Sequence, residues 1–146
     1  VATIYFSGFS YGFKQAIGVV SDEYTHVKAL GGKTQEELDF LAALDILHHL
    51  EESEASGEVH LVSSAPYVEA FLRRTRDPRK QDCQKVAKKA RRIYQSLLRG
   101  QQLSLSFSTV PFKENPAYQA AKQVALTHTK PMQKGNDDNL SPVAQG

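Results

Sequence analysis

Thr34-Gln35-Glu36-Glu37-Leu38-Asp39-Phe40 is where the sequence changes character: strand and turn patterns precede it, and helices alternating with strands follow it. Thr34 with Glu37 three residues on is a capping box, in which the hydroxyl and the carboxylate each satisfy a backbone amide that the first helical turn leaves without a partner. Leu38, Leu41, Leu44, Leu47 and Leu50 give the helix an apolar face, and Asp39 reads as a solvated first-turn acid favoured by the helix dipole. The helix runs out in Glu51-Glu52-Ser53-Glu54-Ala55-Ser56-Gly57, with Gly57 as the expected stop.

Working backward, residues 1–9 are rich in β-branched and aromatic side chains, and residues 15–20 are a short apolar stretch that follows the turn-like Ser10-Tyr11-Gly12; both read as strands. Residues 23–30 alternate in part and end at Gly31-Gly32, which completes an antiparallel meander of three strands. Working forward, 58–63 is a fourth strand, with Ser64 as N-cap of a short helix that carries Pro66 in its first turn. Residues 73–80, containing Asp77-Pro78, read as a loop. Cys83, Val86, Ala87, Ala90, Ile93, Tyr94, Leu97 and Leu98 then recur at helical spacing up to Gly100, which leaves Lys85, Lys88, Lys89 and Arg92 facing solvent.

Leu103, Leu105 and Phe107 alternate with Ser104, Ser106 and Ser108 as a one-sided fifth strand. Asn115 caps a last helix with Pro116 at its first position and Ala117, Ala120, Ala121, Val124 and Ala125 as a small-residue packing face. The expected fold is α/β, a mixed five-stranded sheet of three antiparallel strands followed by parallel ones, flanked by helices. One domain spans 1–128. Residues 129–146, without periodicity and rich in Gly, Pro, Asn and Asp, read as a disordered tail.

The net charge of +2 hides an asymmetry. Ten Lys and Arg lie between residues 73 and 92 against Asp77 and Asp82, while fourteen acids outnumber the eight remaining cations. So local an excess of one sign suits phosphate or another acidic partner. The lone Cys83 excludes an internal disulfide and a Cys-based zinc site, the pattern of a reducing compartment. No apolar run reaches a membrane span, and the apolar opening is too short and lacks the basic flank of a signal peptide, so the expectation is a cytoplasmic protein without membrane contact.

Three segments together, Ile4-Tyr5-Phe6-Ser7-Gly8-Phe9-Ser10, Thr34 to Phe40, and Val62-Ser63-Ser64-Ala65-Pro66-Tyr67-Val68, resemble the active-site motifs of ribonucleases H in order and spacing. The resemblance covers residues 1 to about 128 and implies the ribonuclease H-like fold. In active relatives four acids hold two Mg²⁺ ions for phosphodiester hydrolysis. Carried across, the first-strand Asp falls on Ser7, the central-helix Glu on Asp39, the fourth-strand Asp on Ser64 and the last-helix Asp on Tyr118. Gln35 and Glu36 match a pair that meets sugar hydroxyls, and the segment 110–115 lacks the family's His-bearing loop.

Neutral hydroxyls do not offset divalent charge as carboxylates do, so the leading expectation is a degenerate, non-cleaving member with no catalytic residue and no cofactor. Mg²⁺ enters only if Asp39 retains a weak site. Nucleic acid, an RNA/DNA hybrid or a duplex, would be bound through Arg73, Arg74, Arg76, Arg79, Lys80, Lys85, Lys88, Lys89 and Arg92, with the groove around Gly8, Gln35 and Glu36 reading shape. The alternatives are a protein-interaction or structural module that docks an acidic protein, and a divergent metal-dependent nuclease. The histidines suggest no ligand set: His48 and His49 project about 100° apart and read as a solvated helix end, and His26, His60 and His128 are scattered.

Overall fold

The computed structural model describes residues 2–73, 84–100 and 102–127. Its strands are β1 (Ala2–Tyr11), β2 (Lys14–Val20), β3 (Thr25–Leu30), β4 (Gly57–Ser63) and β5 (Leu103–Thr109). The helices are α1 (Gln35–Glu52), α2 (Pro66–Leu72), α3 (Gln84–Gly100) and α4 (Pro116–Thr127), and a 3₁₀ turn spans Phe112–Glu114. The sheet order is β3-β2-β1-β4-β5, antiparallel across β1–β2 and β2–β3 and parallel across β1–β4 and β4–β5. This is the mixed five-stranded α/β architecture expected from the sequence.

Alternation along β1 sorts its side chains into two layers. Ile4 and Phe6 join Ile17, Val19, Leu38, Phe40, Ile46, Leu47, Val68 and Phe71 in the main core between the sheet and α1, α2 and α3. Phe9, on the opposite face, packs with Ala16 and with Ala121 and Ala125 of α4. Burying a side chain the size of Leu or Phe contributes roughly 1.5–3 kcal/mol, so the first layer carries most of the stability. Two glycines set how closely the helices approach: a Cβ on Gly8 would lie 2.5 Å from Leu38 Cβ, and one on Gly18 would lie 2.5 Å from the Ala117 carbonyl.

Several local expectations are corrected. Thr34 accepts from the Glu37 amide at 3.1 Å, but the Glu37 carboxylate sits 4.0 Å from Lys33 Nζ, so only half of the capping box forms. Helix α1 ends not at Gly57 but in a Schellman motif: Glu54 takes the left-handed conformation (φ 52°), and the amides of Ala55 and Glu54 reach the carbonyls of Leu50 and Glu51. Gly57, at φ 89°, opens β4 instead. Ala65, not Ser64, is the N-cap of α2 and offers no side-chain bond. Strand β3 begins at Thr25, because Ser21 closes a turn onto Tyr24.

Leu98, expected on the apolar stripe of α3, is exposed, and Leu41 and Leu44 are only partly buried because α1 instead turns Phe40, Ala43 and Ile46 inward. The loop and tail read from residues 74–80 and 129–146, Cys83 and His128 lie outside the described residues. No described helix is long and apolar enough to cross a membrane.

Candidate functional site

The four positions singled out by sequence gather around one short stretch of β1. Ser7 lies in the strand; Asp39 bonds Gly8 and Tyr118 packs on Phe9, while Ser64 is linked to Phe6 through the side chain of Asn115. The lack of a side chain at Gly8 lets the first turn of α1 reach the strand, and Asp39 Oδ1 accepts the Gly8 amide at 2.8 Å.

Asp39 is not the solvated acid expected from its place in the helix. It is 3 % exposed and held by three donors. Beside the Gly8 amide, Gln35 Nε2 donates to Oδ1 at 3.2 Å while also reaching the Gly8 carbonyl at 2.9 Å, and the Tyr67 hydroxyl donates to Oδ2. Burial pushes the carboxyl up to about 6, and Glu36 adds to the push; the three donors, Tyr67 foremost, oppose it. Gln35, expected to face a ligand, has its amide nitrogen turned inward.

The other positions are equally engaged. Ser7 is buried and donates to the Gly8 carbonyl at 3.0 Å. Asn115, fully buried, accepts from the Ala117 amide at 2.9 Å as the cap of α4, and its Nδ2 bridges the Phe6 carbonyl at 3.3 Å and Ser64 Oγ at 3.2 Å. It thereby ties β1, the end of β4 and the start of α4 together. Tyr118 packs its ring edge-on to Phe9 and against Phe112. The sequence marks Asn115 as the cap but not its bridge to Phe6 and Ser64, and it gives no role to Tyr67, although Tyr67 stands in the third motif.

Divalent ions favour clustered carboxylate oxygens, and at three of the four motif positions Ser7, Ser64 and Tyr118 bring hydroxyls instead. Among the described residues no three His, Cys, Asp or Glu side chains converge. Asp39, the one acid among the four motif positions, has both oxygens bonded to protein donors.

The basic segment divides. Lys85, Lys88, Lys89 and Arg92 are exposed on α3, as expected. Arg73 is not simply a free cation: its Nε lies 3.4 Å from Glu69, and its guanidinium sits 5.4 Å from the Phe107 ring. Arg91 turns inward, over the Phe71 ring at 3.5 Å, and donates to the Phe71 carbonyl. Arg74, Arg76, Arg79 and Lys80 lie outside the described residues.

The histidines are better partnered than their spacing suggested. His49 stacks on Tyr24 at 3.8 Å, and Asp45 holds both the Tyr24 hydroxyl and His26 Nδ1. Burial first, then the Asp45 carboxylate, pushes the Tyr24 phenol up to about 12. These residues tie β3 to the far half of α1, beside a cleft of about 950 Å³ lined by Thr3, Tyr5, Tyr24, His49, Ser53 and Pro116 among others. The cleft is not lined by Ser7, Asp39 or Ser64. His60 bridges Ser106 and Ser108 of the neighbouring strand at 2.7 and 2.8 Å.

No protein-family model matches the sequence, and no curated relative does. Solved structures do. Ribonuclease H1 from the halophilic archaeon Halobacterium salinarum NRC-1 is 20 % identical, with 88 % of this chain and 98 % of that one covered at a TM-score of 0.66. LC11-RNase H1 in complex with an RNA/DNA hybrid is 15 % identical over 89 % of this chain and 100 % of that one, at a TM-score of 0.73. The N-terminal ribonuclease H domain of Rv2228c from Mycobacterium tuberculosis is 15 % identical, again over 89 % and 100 %, at 0.66. With the strand order, the parallel and antiparallel pairings and the placement of α1 against β1, these similarities establish that the chain has the ribonuclease H-like fold.

Proposed function

We propose that this chain is a nucleic-acid-binding domain that does not cleave what it binds. The observation that carries the reading is the exposed quartet Lys85, Lys88, Lys89 and Arg92 on α3, a row of cations without an interleaved acid, on a fold that a similar protein, LC11-RNase H1, shows in complex with an RNA/DNA hybrid. Phosphates spaced along a backbone are the partners that such a row fits, and Arg73, Arg74, Arg76, Arg79 and Lys80, which precede it in sequence, are proposed as further contacts. In this reading Asp39 holds no Mg²⁺; it secures α1 to β1 and α2. The single Cys83 suits a reducing compartment, the cytoplasm.

The test is fluorescence anisotropy with labelled RNA/DNA hybrid, duplex DNA and duplex RNA across a salt series. Binding that weakens steeply with salt, with a slope of about −0.9 per phosphate contact, supports the proposal. Absence of binding at low salt overturns it and turns attention to an acidic protein as partner.

A further inference from the structure

Tyr11 and Phe13 are 72 % and 67 % exposed, the two most exposed large apolar side chains among the described residues. They flank Gly12 at the tip of the β1–β2 hairpin, where Tyr11 pairs with Lys14 across a two-residue loop. Gly12 has φ 62° at the first loop position, where a type II′ turn takes glycine. The turn therefore accounts for Gly12 but not for an aromatic ring on each side of it, and neither ring contributes to either core.

The tip is anchored from beneath. Gln15 is 6 % exposed; its Nε2 donates to Ser10 Oγ at 3.1 Å and to the Gly12 carbonyl at 3.4 Å, and its Oε1 accepts the Lys33 amide at 2.9 Å. Lys33 directly precedes the Thr34 cap, and Gln35 reaches Gly8 and Asp39. One continuous set of hydrogen bonds thus fixes the aromatic tip relative to the start of α1. Lys14, opposite Tyr11, brings positive charge to the same end, whereas that of Lys33 is offset by Glu37 at 4.0 Å.

Exposed rings on an anchored backbone beside the Lys14 ammonium suit bases that lie outside a helix: the ring stacks on the base face, and the ammonium meets the phosphate. Within a duplex the bases are already stacked on one another, and a blunt end leaves only the outer face of its terminal pair. We infer that Tyr11 and Phe13 form a stacking platform for unpaired nucleobases, so that the domain prefers a nucleic acid with a single-stranded extension over a blunt one. This rests on the nucleic-acid reading above and adds the class of substrate end that it recognises.

The experiment uses two RNA/DNA hybrids of equal duplex length, one blunt and one with a six-nucleotide extension carrying 2-aminopurine, and compares wild type with Tyr11→Ala/Phe13→Ala and Tyr11→Phe. Wild type should bind the extended probe about tenfold more tightly and quench 2-aminopurine; the double variant should lose both properties while keeping its affinity for the blunt probe, and Tyr11→Phe should retain them. Equal affinity of wild type for the two probes, or a preference that the double variant keeps, overturns the platform and leaves the nucleic-acid reading standing. Failure of wild type to bind either probe overturns the nucleic-acid reading, and the platform with it. Because both replaced rings are exposed, the circular dichroism spectrum and melting temperature of the double variant should match wild type.

Discussion

The start of α1 and the outer face of α3 use polar groups in opposite ways. Around Gly8 the carboxylate of Asp39, the amide of Gln35 and the hydroxyl of Tyr67 are spent on one another and on the strand backbone. On α3, Lys85, Lys88, Lys89 and Arg92 point into solvent. The first region is a fastening and the second a surface. The contrast teaches that positions matching a catalytic motif can be engaged in structural bonds while the exposed charge lies on another element.

The largest effect should come from reversing the surface. Lys85→Glu, Lys88→Glu, Lys89→Glu and Arg92→Glu together should weaken hybrid binding by more than a hundredfold, because four attractions become repulsions, and should flatten the salt dependence by about one unit of slope per lost contact. The melting temperature should change little, since none of these side chains is buried. Anisotropy and a thermal melt check both arms, and unchanged affinity would erase the contrast.

The fastening is tested by Gly8→Ala. The added Cβ would meet Leu38 Cβ at 2.5 Å and the Leu38 and Asp39 backbone within 2.9 Å, so α1 must move. Forced repacking of this kind costs about 1–3 kcal/mol, and contact with backbone places this case toward the upper end. The urea midpoint should fall accordingly; a midpoint equal to wild type would mean that the close approach of α1 and β1 does not matter.

Asp39→Asn sharpens the same point through pH. The folded value of about 6 lies above the unfolded value of about 4, so the folded state binds the proton more tightly. The stability linked to protonated Asp39 is fully present below about pH 4 and is lost as pH rises through about 6, a decline of at most about 2–3 kcal/mol. Asparagine keeps an acceptor for Gly8 and does not titrate. The difference in stability between the two proteins, from urea unfolding at pH 4 to 7, should shift across this window; parallel curves would contradict the burial of Asp39.

The smallest effect is a control just past the end of α1, away from both regions. Glu54→Gly relieves a left-handed residue in the Schellman turn and should stabilise the fold by up to about 1 kcal/mol without altering binding. A destabilised variant would show that Glu54 makes a contribution beyond its backbone conformation.

Most of the architecture was legible because its signals are local. Thr34 and Asn115 cap their helices, Pro66 and Pro116 stand at first positions, and Leu103, Leu105 and Phe107 alternate with serines. The interior of the candidate site was not, because it depends on partners far apart in sequence. Asp39 is buried by Gly8, thirty-one residues away, so the dipole argument for a solvated acid omitted the strand lying on the helix. Asn115 was readable as a cap, but its bridge to Phe6 and Ser64 requires the β1–β4 pairing. His60 meets Ser106 and Ser108 only through the β4–β5 register, and Arg91 turns inward because the Phe71 ring lies beneath it. Glu54 took the left-handed position that Gly57 was expected to hold, a choice that propensity alone gets wrong.

The measurement that bears most directly on the account follows binding and strand integrity in one sample: an RNA/DNA hybrid labelled with fluorophore and quencher, titrated with the protein in the presence and absence of Mg²⁺ and Mn²⁺ and then resolved on a denaturing gel. The account predicts salt-sensitive binding that is the same with and without metal, with every strand intact. Metal-dependent cleavage that Asp39→Asn abolishes would contradict it and make Asp39 a ligand instead of a fastening.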